Sequence, residues 1–255
     1  MAWRAPKTDW APEDGVMAGD FNRIEGNIQE LKNTAAPHLR TNITYYVATT
    51  GNNSNTGLSS SAPLATIQAA VNKLPKNLNG YNANIVLAAG TYAGFSMSDI
   101  FGGIVTISSS NNGAIAISSG GISITDCQNV TISNMSSLSI TGQLQIDNCS
   151  EVSCAVPVTV VNTTNDAVSV AFSNVLFSNR LTVTAANYAA ALLSQSGAKI
   201  FADTIVINSP SGIGLSATVG ANIAYGSITN NATTKAMTRR GGRIYAGAQA
   251  SVPSY

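Results

Sequence analysis

Two carboxylates, Asp126 and Asp147, are the residues of this sequence that best suit acid–base chemistry. Hydrolysis of a glycosidic bond needs two carboxyl groups about 5 to 9 Å apart, one as general acid and the other as nucleophile or base. When Cys127 is aligned with Cys149, however, Asp126 matches Asn148, and Asp147 is offset by one position. We therefore interpret Asp126 and Asp147 as polar turn residues and predict that the chain is not an enzyme. If it were a glycosidase, these two aspartates would be the catalytic candidates.

Other catalytic arrangements have less support. A lyase would need an Arg or Lys base beside an acidic calcium cluster, but no Lys or Arg occurs between Lys76 and Arg180. His38, the single histidine, follows Pro37 in a linker, where we expect it to be solvated. No Ser or Cys nucleophile has a visible base partner. The sequence predicts no cofactor.

The three cysteines are Cys127, Cys149 and Cys154. They form neither an even disulfide framework nor a zinc-binding spacing, so no metal site is predicted. We expect buried free thiols that pack as small apolar side chains.

Arg239, Arg240 and Arg243 form a basic cluster that could contact phosphate or anionic wall polymers. Such clusters are more often charged turns or end caps, but these arginines are the candidate binding residues. The formal net charge is only +1, which argues against nucleic acid as a partner.

The first forty residues differ from the rest. Six of the twelve acids fall within residues 1–30, and apolar residues then recur every three or four positions, which predicts a short helix capped by Asp20. A helix of about 12 residues is marginal in water, so its apolar stripe needs a partner. Residues 1–40 are therefore interpreted as a docking segment, with these attachment residues: Trp3, Trp10, Phe21, Ile24, Ile28 and Leu31.

A second helix is predicted near residues 63–74, beginning at Pro63 and ending at Pro75, where it could cap an open sheet end. No apolar run reaches the ~18 residues of a membrane span. The N-terminus lacks the apolar core of a secretion signal, so we expect synthesis in the cytoplasm.

Short alternating strands replace helical periodicity from Ile85 onward. One phrase returns six times at steps of 22, 23, 25, 23 and 21 residues, a period typical of stacked repeats. Its branched residue should point inward and meet its equivalent one coil away, ~4.8 Å along the axis. The sequence thus predicts an all-β, right-handed single-stranded parallel β-helix over residues 41–255, with this aliphatic column: Val130, Val152, Val175, Ile200, Ile223 and Ile244.

Three stretches carry a resemblance to known proteins. Tyr45-Tyr46-Val47, Gly51, an Asn-rich loop, Pro63 and Thr66–Val71 resemble the opening of pectate-lyase-like β-helix proteins, especially tail fibres and tailspikes of tailed phages. Residues 20–28 resemble an N-terminal element of tail and baseplate-attached proteins from phages and phage-derived particles of Gram-positive bacteria. Residues 241–249 resemble the last coils of such fibres.

The resemblance implies a homotrimer that attaches to a tail or baseplate protein through its N-terminal segment and exposes its β-helix to a bacterial surface. The resulting hypothesis is a structural, receptor-binding component of a virion tail or phage-like particle that contacts host surface polysaccharide. A polysaccharide depolymerase and a bacterial surface adhesin are the alternatives.

Overall fold

The computed structural model describes residues 5, 8, 15, 17–34, 37–162, 166–185, 190–208, 213–232 and 234–246, without the side chains of residues 29–34. The chain separates into two compact units, Met1–Pro37 and His38–Tyr255. Neither of the helices in the described residues is long and apolar enough to span a lipid bilayer.

The first unit contains helix α1, Ala18–Thr34. The expectation that Asp20 caps this helix was wrong, because the helix begins two residues earlier. The carboxylate of Asp20 instead accepts a hydrogen bond of 3.0 Å from the Met17 backbone N–H and lies 3.2 Å from the Arg23 guanidinium. Asp20 therefore lies within the first turn and stabilises it, because its negative charge interacts favourably with the positive end of the helix dipole.

The second unit is built from short strands and one short helix, α2, Ile67–Asn72. The strands are β1 (Ile43–Val47), β2 (Ala83–Leu87), β3 (Gly90–Tyr92), β4 (Phe95–Ser98), β5 (Ile104–Ser109), β6 (Ile115–Ile117), β7 (Ile122–Thr125), β8 (Asn129–Ser133), β9 (Leu138–Thr141), β10 (Leu144–Asp147), β11 (Glu151–Cys154), β12 (Val158–Asn162), β13 (Val168–Ala171), β14 (Asn174–Ala185), β15 (Ala190–Gln195), β16 (Lys199–Asn208), β17 (Ile213–Thr218), β18 (Asn222–Asn230), β19 (Thr234–Arg239) and β20 (Arg243–Ala246).

These strands wind into a parallel β-helix, which confirms the predicted fold class. A 13-stranded sheet forms two faces of the coil, and a seven-stranded sheet, in the order β4-β7-β10-β13-β15-β17-β19, forms the third. The first face carries β1, β2, β5, β8, β11, the start of β14, and then β16, β18 and β20. Because β14 pairs with β11 at its start and with β12 at its end, it bends around the corner between two faces.

The aliphatic column predicted from the repeats is present. Val130 pairs with Val152, and Val152 pairs in turn with Val175. The column continues through Ile200, Ile223 and Ile244, each directly opposite the previous member. All but Ile244 are buried. Branched aliphatic side chains at one register position thus fill part of the interior along the whole axis.

The residues just before this column face outward, as expected from the alternation of side chains along a strand. None of them is buried, although they include amides, an acid and two cations: Asn129, Glu151, Asn174, Lys199, Asn222 and Arg243. The asparagines do not form a continuous ladder. Instead, Asn174 donates to the Ser150 backbone oxygen at 3.0 Å.

Helix α2 lies against β1, β2 and β4 at the first coil. Its apolar residues Ile67, Ala70 and Val71 are buried. It begins later than the predicted residue 63 because Leu64 pairs with β1: the Leu64 N–H donates to the Tyr46 oxygen at 2.8 Å. Thr66 then caps the helix by accepting from the Ala69 N–H at 3.2 Å.

In the first coil, side chains hydrogen-bond backbone groups at the open edge of β4. The Gln68 amide accepts from the Ser96 backbone N–H at 2.8 Å and donates to the Ser96 oxygen at 3.0 Å, so it mimics a neighbouring strand beside β4. The Lys76 ammonium donates to the Ser98 oxygen at 2.6 Å. An edge covered in this way cannot pair with a foreign strand.

Candidate functional site

Each coil leaves the seven-stranded face through one residue with a positive φ. The register places these residues one above another, for example Asp126 next to Asn148, since the preceding Thr125 and Asp147 are paired. We call this set the turn column. Its members have φ between 48° and 59°: Asp99, Asp126, Asn148, Phe172, Ser196, Val219 and Arg240.

Four members of the turn column are neither Asp nor Asn: Phe172, Ser196, Val219 and Arg240. Asp and Asn adopt a positive φ readily, whereas other L residues pay about 1 to 2 kcal/mol for it. Phe172 and Val219 pay this cost without being buried, and the Phe172 side chain is 65% exposed. Since the positive φ recurs throughout the turn column, the backbone conformation alone marks no site; it is the exposed aromatic ring of Phe172 that makes these coils a candidate binding surface.

The two candidate catalytic aspartates lie on adjacent coils but in different environments. Asp126 is exposed in the turn column and accepts a hydrogen bond of 2.6 Å from the Asn148 side-chain amide. Asp147 lies on strand β10, opposite Thr125 and Ala171. The predicted offset between the two aspartates is therefore confirmed.

One oxygen of Asp147 stands out. Its Oδ1 atom is buried and has no hydrogen-bond partner among the described residues. Buried carboxylate oxygens nearly always have a partner, such as a protein group, a water molecule or a ligand. Because Asp147 pairs with Ala171, the residue just before Phe172, this oxygen lies on the coil next to the exposed ring. We call Asp126, Asp147, Asn148 and Phe172 the turn patch.

A shallow groove lies on the first face, three residues further along the same coils. It has a volume of about 230 Å³. Asn129 and Glu151 pair across it in one outward column, and Thr131 and Ser153 pair in the next. Together with Ile104 they offer hydroxyl, amide and carboxylate groups beside one aliphatic side chain. We call these five residues the outer-face groove.

A second groove, of about 300 Å³, lies between α2 and β4. Its polar side chains Gln68 and Lys76 are engaged in the hydrogen bonds that cover the β4 edge. Lys76 also lies 3.6 Å from Asp99, and the pKa of that carboxyl is lowered, first by a hydrogen bond from the Ser98 hydroxyl and then by the lysine. This groove therefore has a structural role at the end of the β-helix.

The candidate binding arginines lie together at the other end. Arg239 ends β19, Arg240 is the last described member of the turn column, and Arg243 begins β20. All three are exposed. The structure thus brings these cations into one turn, several coils from the turn patch.

The candidate attachment residues on α1 share an exposed apolar face. Phe21, Ile24 and Ile28 are 58%, 48% and 61% exposed, respectively. Leu31 belongs to the same helix, but its side chain lies outside the described set, as do Trp3 and Trp10.

The cysteines are buried free thiols, as predicted. Cys127 and Cys149 lie on adjacent coils, where each thiol donates to a backbone oxygen, that of Thr125 at 3.2 Å and that of Asp147 at 3.3 Å, respectively. The proximity of the two thiols raises the pKa of Cys149 and lowers that of Cys127. Burial raises the pKa of Cys154 to about 12. Within the described residues, no group of three or more His, Cys, Asp or Glu side chains could hold a metal ion.

Comparison with known proteins adds no relative. No family model matches the chain, and no curated protein or solved structure matches it either. The function must therefore be argued from the geometry of its own residues.

Sequence reasoning missed Phe172 and the outer-face groove. The groove residues alternate outward along β8 and β11, a pattern that could have placed them on one surface. Phe172 carried no such signal, because an aromatic residue beside a strand normally points inward, and only the exposure of its side chain in the folded chain shows that it does not.

Proposed function

We propose that this chain is an attachment protein of a phage tail or phage-like particle. In this proposal α1 docks the chain to a tail or baseplate protein, the chains assemble as a homotrimer in the virion tail, and the β-helix contacts host surface glycan. The observation that carries the glycan part is the exposed Phe172 ring, which belongs to the coil next to Asn148 and therefore lies one coil beyond the outer-face groove.

This surface has the chemistry that sugars require. A pyranose ring has an apolar face that can stack on an aromatic ring such as Phe172. Its hydroxyl groups can donate to Asp126, Asp147 or Glu151 and accept from the Asn148 amide. A chain of such weak contacts gains strength when three copies bind one polymer.

The docking part rests on α1. Helices in proteins owe most of their stability to the packing of an apolar face, and on α1, of 17 residues, three large apolar side chains on one face are about half exposed or more. Burying such a face against a tail component, or against sister chains, would supply the missing stabilisation.

Glycan binding is tested with Phe172→Ala and a matched control, Val219→Ala. Both residues have a positive φ in the turn column, but only Phe172 belongs to the turn patch. Host surface polysaccharide should be retained by the native chain and by Val219→Ala, and lost with Phe172→Ala. Equal retention by all three proteins would refute the proposed site.

Docking is tested by removing residues 1–37 and by the triple change Phe21→Ser, Ile24→Ser and Ile28→Ser. Both proteins should keep the β-helix, seen by circular dichroism, but fail to join purified particles. Light scattering of the native chain should give the mass of a trimer. Normal incorporation of both variants, or a monomeric mass, would contradict the respective part of the proposal.

A depolymerase is the second candidate, because the turn patch holds two carboxylates and a buried carboxylate oxygen without a described partner. New reducing ends from the host polymer would support it, provided that Asp126→Asn or Asp147→Asn abolishes them. Polymer that stays intact with the native chain would remove this candidate and leave binding in place.

A further inference from the structure

The C-terminal end of the β-helix carries an unbalanced positive charge. After Asp203 the sequence contains no Asp or Glu, whereas Lys235, Arg239, Arg240 and Arg243 follow. No described acid lies within ion-pair distance of these arginines. Among the described residues, no carboxylate therefore neutralises the charge of this exposed cluster.

The outward columns extend the same charge. Lys199 pairs with Asn222, which pairs with Arg243, so the lysine and the arginine share one column two coils apart, a distance of about 10 Å. Glu151 is the first acid in that column and lies four coils from Arg243. That separation of ~19 Å exceeds two Debye lengths at physiological salt.

Backbone N–H groups add a second, independent feature. In the turn column these groups point toward the C-terminal end, as when the Val219 N–H donates to the Arg239 oxygen at 3.1 Å and the Gly220 N–H to the Arg240 oxygen at 3.1 Å. Arg240 and Gly241 occupy the equivalent positions in the last turn. Among the described residues, no backbone oxygen accepts from their N–H groups.

We propose that this turn is a phosphate-binding site, formed by Arg239, Arg240 and Arg243 with the N–H groups of Arg240 and Gly241. Arg240 and Gly241, with φ of 50° and 82°, are the central residues of a turn closed by the Gly242 N–H, which donates to the Arg239 oxygen at 3.1 Å. Successive N–H groups of a turn can bind one anion. Guanidinium groups bind phosphate through paired hydrogen bonds. The ligand class is a phosphate group of a surface polymer.

Duplex DNA fits the site less well. Specific and non-specific DNA binders neutralise many phosphates along a groove, about six to ten in typical cases. Here the cations occupy one turn and one column, and the chain as a whole has a net charge of +1. A short phosphate-bearing repeat matches this limited area.

This inference depends neither on the glycan-binding turn patch nor on docking to a tail. The full chain is immobilised, and poly(glycerol phosphate) is the probe, with inorganic phosphate as competitor. The test variants are Arg240→Gln and the triple change of Arg239, Arg240 and Arg243 to Gln. Arg180→Gln is the matched control, since Arg180 is also an exposed arginine but lies on another face.

The native chain and Arg180→Gln should bind the polymer equally, and inorganic phosphate should compete. Arg240→Gln should weaken binding, and the triple variant should lose about tenfold or more, as expected for lost charge-assisted bonds. Circular dichroism and thermal melting should show that all variants keep their fold. Phe172→Ala should bind the probe normally, which separates this site from the glycan surface.

Three results would overturn the proposal: native-like binding by the triple variant, an equal loss with Arg180→Gln, or no binding by the native chain. Tighter binding of a 20-base-pair duplex than of the phosphate polymer would overturn it as well and would indicate a nucleic-acid site.

Discussion

Replacing Val152 by Ala should destabilise the β-helix by about 2.5 kcal/mol. Val152 is 0% exposed and lies between Val130 and Val175 in the aliphatic column. Losing two methyl groups removes about 1.6 kcal/mol of burial, and the cavity left between rigid neighbouring coils adds roughly 1 kcal/mol. Urea unfolding followed by circular dichroism measures the change in unfolding free energy: the midpoint urea concentration should fall, while the dependence of the free energy on urea should stay the same.

The matched control is Glu151→Ala, one residue earlier on the same strand. Glu151 faces outward and is exposed, so its replacement should change the unfolding free energy by less than about 0.5 kcal/mol. Equal losses at the two positions would show that inward and outward faces are not distinguished, and the register would be wrong.

A double-mutant cycle sharpens the test. Val130→Ala and Val152→Ala affect side chains that touch, so their effects should deviate from additivity by about 0.5 kcal/mol or more. Val152→Ala and Ile223→Ala lie three coils apart, and their effects should add. Coupling of the same size in both pairs would contradict nearest-neighbour stacking.

Three further predictions concern the ends and the thiols. Gln68→Ala removes both hydrogen bonds to Ser96 at the β4 edge; it should cost about 1 to 2 kcal/mol and produce concentration-dependent association in light scattering, and a monodisperse, equally stable variant would refute the capping role. Thr66→Ala removes the cap on the Ala69 N–H and should cost about 1 kcal/mol in urea unfolding, whereas an unchanged midpoint would show that the cap is dispensable. Because burial raises the pKa of Cys154 from 9.0 to about 12, the folded chain keeps a proton that the unfolded chain loses, so stability should fall between pH 9 and 12 by up to ~1.4 kcal/mol per unit; Cys154→Ala should flatten this decline, and an identical pH profile would contradict it.

The fold was predictable because its signal is repeated. Val130, Val152 and Val175 recur with nearly constant spacing, and a wrong assignment at one coil would have conflicted with its neighbours. The paired thiols Cys127 and Cys149 followed from the same alignment, since equivalent positions share one environment.

The helix boundaries were less predictable because distant contacts set them. Pro63 is a plausible first residue of a helix, but the Asn53 side chain accepts from the Ala65 and Thr66 N–H groups and holds this segment outside the helix. Asp20 likewise is of a residue type that often caps helices, but it lies within the first turn of α1. Neither contact can be seen in local periodicity.

The candidate site was only partly predictable. The three arginines of the cluster lie within five residues of each other in the sequence and could be identified as a charge pattern. Its free N–H groups depend on the direction of hydrogen bonds between coils, which the composition does not reveal. The importance of Phe172 likewise depends on the exposure of its side chain in the folded chain, because the sequence does not distinguish an exposed ring from an ordinary core residue.

The register of the first face also has an evolutionary consequence. Asn129 and Glu151 occupy identical positions on adjacent strands, as do the residues that follow them. If the segment between two such equivalent positions is deleted or duplicated, the backbone is rejoined in the same local geometry. The β-helix then becomes shorter or longer by one coil, about 4.8 Å. The distance between the first coil and the arginines of the last described coil can therefore evolve in whole increments, without redesign of either extremity.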